Sequence, residues 1–157
     1  MKQSETLNTL SQHLFFKGIE PSQLEILASK ATIRSYPAGR YLAHEGEKAE
    51  SFFLLLEGKV QILIDGGKSK QSIQTIGPGE VFGWSWIFPP YRWNFDARAT
   101  EPVKVLVLSG KMLRQRCEEN SSLGYQLMKR FAGIMVARLR ATRLQVLDVY
   151  GQQKEKC

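Results

Sequence analysis

Between Ala31 and Glu80 glycine returns every few residues, at Gly39, Gly46, Gly58, Gly66, Gly67, Gly77 and Gly79. The runs between these glycines are short and rich in β-branched and aromatic side chains. Turn signals about 8–12 residues apart leave little room for helices and are the pattern of a β-barrel or sandwich. Phe52–Leu56 and Val60–Ile64 flank Glu57-Gly58-Lys59 and are predicted to pair as a hairpin, and Asp65-Gly66-Gly67 is predicted as the next tight turn. Further on, Phe95, Ala97 and Ala99 alternate with Asn94, Asp96 and Arg98, which predicts small apolar groups inside and polar groups outside. Val103, Val105 and Val107 continue that alternation.

The flanks carry a different period. Residues 5–30 read as helical, with Ser22 a candidate cap after Pro21 and Leu24, Leu27 and Ala28 at helical spacing. After Ser109, itself a candidate cap, a short helix is predicted through Cys117. A long one follows from Ser122 to about Tyr150, capped by Ser121 or Ser122 and about 40 Å in length. The long helix has two apolar faces. Leu127, Phe131 and Ile134 suit packing on the β region. Met128, Ala132, Met135, Leu139, Thr142, Val146 and Val149 recur in steps of four and three, the spacing of a coiled-coil seam. Two faces need two partners. A second copy of the chain, giving a parallel homodimer, is the expectation, with packing on the N-terminal helices as the alternative.

Composition narrows the function classes. The chain has 157 residues, 43% hydrophobic and 24% charged, which fits one globular domain. Its formal net charge of +7 is unevenly spread. Residues 1–109 hold 12 basic and 11 acidic side chains, while residues 110–157 hold 10 and 4. The excess therefore reads as a solvated basic face on the C-terminal helices, a reading preferred to a nucleic-acid surface. No apolar run near the N-terminus resembles a signal peptide, and none reaches membrane-span length. Cys117 and Cys157 form no disulfide framework, so a cytoplasmic location is expected. His13 and His44 are the only histidines and lie far apart, so a metal site of cupin type is not expected. Ser85 lacks a nucleophile-elbow setting and neither cysteine has a histidine in a recognisable motif. No catalytic residue is assigned, and an enzyme is not expected.

The most informative stretch is Gly77-Pro78-Gly79-Glu80, followed by the aromatic segment from Val81 to Ala99. Backbone N–H groups of a glycine turn can hold an anion, and a carboxylate beside it can accept from a sugar hydroxyl. All three tryptophans, Trp84, Trp86 and Trp93, fall here with Phe88 and Tyr91. They read equally as a surface for stacking a planar ligand or as rings that fill the hollow.

These pieces, with Leu14 to Ile19, Pro37 to Leu42, Glu45-Gly46-Glu47, Phe53 to Val60 and Ala97-Arg98-Ala99, resemble the cyclic-nucleotide-binding domain of the catabolite activator (Crp/Fnr-like) type. That family is related to the regulatory domains of cyclic-AMP-dependent protein kinase. The likeness runs over about residues 10–151, where Leu147-Asp148-Val149-Tyr150-Gly151 resembles the family's hinge. It implies an α+β, mainly β fold: an antiparallel β-roll (double-stranded β-helix, or jelly roll) with N-terminal helices and a long C-terminal dimerisation helix. On that reading residues 1–157 form a single domain. N-terminal helices occupy 1–30, the roll 31–108, C-terminal helices 109–150 and a tail 151–157.

The resemblance also implies a site around Gly79, Glu80 and residues 83–94. Glu80 would take the ribose hydroxyl beside Gly79, with Gly83, Trp84 and Ser85 in the pocket wall. The family's phosphate arginine falls on Trp93; Arg92, one residue earlier, is the substitute if a bulge brings it inward, and Asn94 would help hold the phosphate. Positions over the base fall at Ala137 and Arg138, of which Arg138 is taken as a contact. The implied ligand is cyclic AMP, cyclic GMP or a similar small anion, with no other cofactor. Gln152 to Cys157 are too few for a recognition helix, so specific DNA binding by these residues is not expected. The expected role is a sensor module that relays ligand through a helix dimer to an unidentified partner protein. A roll that has lost its ligand and acts through protein contacts is the alternative.

Overall fold

The computed structural model describes residues 2–155. Helices α1 (Lys2–Gln12) and α2 (Pro21–Ser29) are joined through a 3-10 turn at Leu14–Phe16. Eight strands follow: β1 (Thr32–Tyr36), β2 (Tyr41–Ala43), β3 (Ser51–Glu57), β4 (Val60–Asp65), β5 (Lys70–Ile76), β6 (Val81–Phe82), β7 (Asp96–Ala99) and β8 (Val103–Ser109). Helices α3 (Gly110–Glu119) and α4 (Ser121–Glu155) close the chain. The strands form two antiparallel four-stranded sheets, in the orders β1-β8-β3-β6 and β2-β7-β4-β5. This is the β-roll with flanking helices that the sequence implies.

The core lies between the sheets and under α4. Strand β8 sits inside its sheet, bonded to β1 and β3, and Val103, Val105, Leu106, Val107 and Leu108 are all buried. Both of its faces are therefore covered, which explains an unbroken apolar run where simple alternation was expected. Leu127 and Phe131 of α4 are buried, as expected of its inner face. Phe131 meets Phe15, Phe52 and Trp86 at ring-centroid distances of 5.1, 5.2 and 5.7 Å. The N-terminal helices, the first sheet and α4 thus meet in one aromatic cluster.

Several local expectations are corrected. Strands β3 and β4 do not pair; they belong to different sheets, and Glu57-Gly58-Lys59 is the corner between them. Gly58 has φ +86°, and a Cβ there would lie 2.3 Å from the Pro102 carbonyl oxygen, so the chain bends sharply against the β7–β8 connection. Helix α2 begins after Glu20 with Pro21 at its first position, so Ser22 is inside the helix and caps nothing. Ser109 does cap α3, accepting from the Met112 N–H at 3.2 Å. The cap of α4 is Asn120, whose Oδ1 accepts from the Leu123 N–H at 3.0 Å, rather than Ser121 or Ser122. Helix α4 runs on through Glu155, about 52 Å in all, beyond the predicted end near Tyr150. The side chains of Val146, Val149 and the hinge-like residues Asp148 and Tyr150 lie outside the described ones, as does Cys157.

Asp96 is the largest local departure. The alternation of β7 put it outside; instead it is 2% exposed. Its Oδ1 accepts from the Glu45 N–H at 2.8 Å, and its Oδ2 pairs with the Lys70 ammonium. The carboxylate therefore ties the end of β2 and the start of β5 to β7, and burial is tolerable because both oxygens are satisfied. Lys70 is half exposed, so most of the stabilisation comes from the backbone contact rather than the ion pair. Asp96→Ala is expected to lower the unfolding free energy by about 2 kcal/mol in urea titrations, and Asp96→Asn by less than half of that.

His13 is buried, with Nδ1 accepting from the Phe15 N–H at 3.2 Å and Nε2 without a hydrogen-bond partner among the described residues. Burial lowers its pKa from the ordinary 6.5. Below 6.5 the unfolded chain then binds the proton more readily than the folded one, so stability falls as pH drops until the folded pKa is passed. Urea unfolding at pH 7.5 and pH 5.5 is expected to show a smaller pH-dependent loss in His13→Asn, which keeps an acceptor for Phe15, than in the parent protein.

Candidate functional site

A hollow of about 980 Å³ opens between the second sheet and α4. Gly79 and Glu80, the end of the glycine turn, form its rim, Trp84, Ser85, Asn94 and Phe95 one wall, and Ile62, Ile73 and Gln74 another. Helix α4 closes it with Arg130, Gly133, Ile134, Ala137, Arg138, Ala141 and Thr142. Most of the lining is apolar, with a minority of polar groups drawn from the rim, the loop and α4, the make-up of a small-molecule site.

The polar groups are few and specific. Arg138 lies over the Trp84 ring at 4.2 Å and donates to the Val81 carbonyl at 2.9 Å. Burial pushes its guanidinium down to about 10, and the nearby Glu80 carboxylate acts against that shift. It therefore remains charged at neutral pH, half-buried beside the hollow. Glu80 is exposed at the rim, and its Oε1 accepts from the Gly77 N–H at 3.1 Å. Oε2 has no hydrogen bond among the described residues. Arg130 donates to the Lys17 and Gln126 carbonyls, which hold it at the N-terminal end of the cavity wall. Ser85 is buried and Asn94 exposed.

Of the residues expected here, Gly79, Glu80, Trp84, Ser85, Asn94 and Arg138 do line the hollow. Gly83, Arg92 and Trp93 do not. Gly83 has φ +93°, and a Cβ there would come within 2.8 Å of the Trp93 ring, so this glycine makes room for an indole rather than for a ligand. Trp93 is buried, packed on Phe53 and Phe95 at 6.2 and 5.6 Å. Arg92 is turned out of the roll: it pairs with Lys48 in an isolated bridge and donates to the Gly46 carbonyl at 2.8 Å. Because neighbouring residues of an extended segment face opposite sides, sending Trp93 inward sends Arg92 outward. No bulge reverses this.

The turn itself holds no anion cradle. The Gly79 N–H donates to the Leu55 carbonyl and the Glu80 N–H to Gly77, while Gly77 donates to Glu80 Oε1. All three amides are spent within the protein. The basic groups that do line the hollow, Arg130 and Arg138, both come from α4. Arg130 escaped the sequence reading, although it lies four residues before Ile134, which lies four before Arg138; extending the inner face of the helix in both directions finds both. Ile62 and Ile73 left no such signal, since only the β4–β5 pairing brings them to the cavity. The tryptophans divide: Trp86 and Trp93 are core, and Trp84 alone of the three lines the hollow. Among the described residues no group of three or more His, Cys, Asp and Glu side chains could hold a metal ion. No helix there is long and apolar enough to cross a membrane.

Comparison with known proteins places this architecture. The cyclic nucleotide-binding domain family matches over residues 33–120. The chain is 26% identical over 135 residues to a CRP-like cAMP-activated global transcriptional regulator of Mycobacterium tuberculosis, covering 85% of this chain and 58% of that protein. It is 31% identical over 142 residues to the cAMP-activated global transcriptional regulator CRP of Pasteurella multocida, covering 86% and 66%. The chain thus spans about three fifths to two thirds of the length of these relatives. A crystal structure from Geobacter metallireducens GS-15, described as a candidate cyclic nucleotide-binding protein, is 34% identical, with a TM-score of 0.76 over 84% of this chain and 96% of that one. With more than half of its length matched by the family and its roll superimposing on a solved relative, the chain belongs to the cyclic nucleotide-binding domain family.

Proposed function

We propose that the protein is a regulatory sensor module whose hollow takes a cyclic nucleotide or a similar small, planar, anionic ligand and passes its occupancy to a helix dimer. The observation that carries this reading is the Trp84–Arg138 contact, which joins the loop wall of the cavity to α4. A ligand that stacks on Trp84 must displace or recruit that guanidinium, so binding energy differs between two positions of the helix. Only such differential contact can shift a conformational equilibrium. The ligand's anion would be met by Arg138 from the helix, since the position of the expected phosphate arginine is filled by the core residue Trp93. Glu80 Oε2 would remain for a hydroxyl.

The outer face of α4 supports the dimer. Leu139 is 62% exposed, Ala132 is exposed, and Met128 and Met135 are half-covered, while Thr142, also in the seam spacing, borders the hollow. Their four–three spacing is self-complementary between parallel copies. The CRP-like relatives are transcriptional regulators by name. The output here is proposed to be read by a partner protein, with no catalytic step in this domain. A second reading, a roll that has lost its ligand and works through protein contacts, is favoured by one observation: no cation from the strands lines the hollow.

Titration with cyclic AMP and cyclic GMP, followed by tryptophan fluorescence, is expected to give a saturable change through Trp84. Arg138→Ala should weaken binding by about tenfold, the scale of one lost charge-assisted hydrogen bond, and Glu80→Ala by less. No response to either nucleotide at millimolar concentration would select the second reading. In sedimentation the protein is expected to be a dimer, and Leu139→Glu a folded monomer. Monomers of the unaltered protein at high micromolar concentration would remove the relay.

A further inference from the structure

A second concavity, of about 620 Å³, lies at the β1-β8-β3 sheet and shares no lining residue with the ligand hollow. Its lining brings together Lys30, Arg34, Lys48, Arg92, Lys111 and Arg114, with Glu50 the one carboxylate. These cations come from the end of α2, from β1, from the loop before β3, from the aromatic loop and from the start of α3. Thr32, Ser51 and Ser109 add hydroxyl groups, and Ala49, Pro90, Tyr91 and Val107 supply the apolar part of the wall. Nothing in the linear charge distribution announces this. The first 109 residues are nearly neutral, yet four of their cations collect here.

The cluster is built rather than incidental. Arg114 stacks on the Tyr91 ring at 4.1 Å and donates to the Trp86 carbonyl, which fixes its guanidinium at the wall. Arg92 is held by the Gly46 carbonyl. Helix α3 begins in the same wall, at Ser109–Lys111, with no acidic residue in its first turn to answer the positive end of its dipole. Six like charges around a concave surface repel one another, and low-dielectric walls concentrate their field. An anion with several charges relieves that repulsion; a single charge relieves little of it.

We propose that this concavity is a second binding site, independent of the cyclic-nucleotide reading, for a compact molecule carrying two or more phosphate groups. Arginine forks match phosphate oxygens in pairs, and lysines supply the remaining charge. Six cations against one carboxylate mean that the ligand is recognised through its anionic groups, and the volume fits a small molecule rather than a folded partner.

Inorganic tripolyphosphate is the probe, measured by titration calorimetry on the whole chain against inorganic phosphate at matched ionic strength. Tripolyphosphate is expected to bind one-to-one and at least about tenfold more tightly than phosphate, weakening as salt rises. The exposed pair Lys30→Ser/Lys111→Ser should cost a further tenfold or so, whereas Lys68→Ser, in the β4–β5 loop outside the concavity, should change nothing. Circular dichroism confirms that each variant is folded. The proposal is overturned by no tripolyphosphate heat at millimolar concentration. It is also overturned by an equal loss in Lys68→Ser, which would mean diffuse surface charge, or by a short DNA duplex or an acidic peptide binding the same lysines more tightly than tripolyphosphate.

Discussion

The structure depends on Phe131. Its ring is 2% exposed and touches Phe15 from the N-terminal segment, Phe52 from β3, and Trp84 and Trp86 from the aromatic loop. Burying a phenylalanine contributes about 1.5–3 kcal/mol, and each well-placed ring pair adds about 0.5–1.5 more. The size of the term matters less than where it acts. Three parts of the chain that are distant in sequence are fixed to one side chain, and that side chain sits on the helix that closes the ligand hollow. A shift of α4 at Arg138 cannot leave the cluster undisturbed, because close-packed rings have few alternative arrangements.

The loop from Gly83 to Asn94 works on both of its sides. Trp84, Ser85 and Asn94 face the hollow under α4, while Pro90, Tyr91 and Arg92 face the basic concavity. Trp86 and Trp93 lie between them in the core. Trp86 is locked in place: its indole N–H donates to the Gly83 carbonyl, and a Cβ on Gly110 would lie 2.5 Å from its own Cβ. One short segment thus forms a wall of two cavities with a rigid partition between them. The close packing that removes Arg92 from the first cavity delivers it to the second.

Legibility in the sequence followed the range of the interaction. The Ser109 cap, the inner face of α4 and the succession of short strands depend on neighbours within a few residues, and each was readable. Pairing was not. Glu57-Gly58-Lys59 has the local chemistry of a hairpin turn, but the corner it makes is decided by Pro102, far along the chain. Asp96 obeys the two-residue period of β7 in type and violates it in burial, because its partners, Glu45 in the turn after β2 and Lys70 on β5, come from other parts of the sheet. At the site, six of nine expected residues reach the hollow. The three that do not, Gly83, Arg92 and Trp93, all turn on which way one indole points.

The amino-acid sequence by itself determined the element types, the family and the two-faced closing helix, since periodicity, turn chemistry and motif order are local properties of the chain. Tertiary structure alone decided where charge and aromatic bulk end up. It spent the amides of the glycine turn within the protein, sent Trp93 inward and Arg92 outward, and gathered six scattered cations around one concavity. The reason is that facing direction in a sheet and proximity between strands are set by long-range pairing, which no stretch of sequence contains on its own.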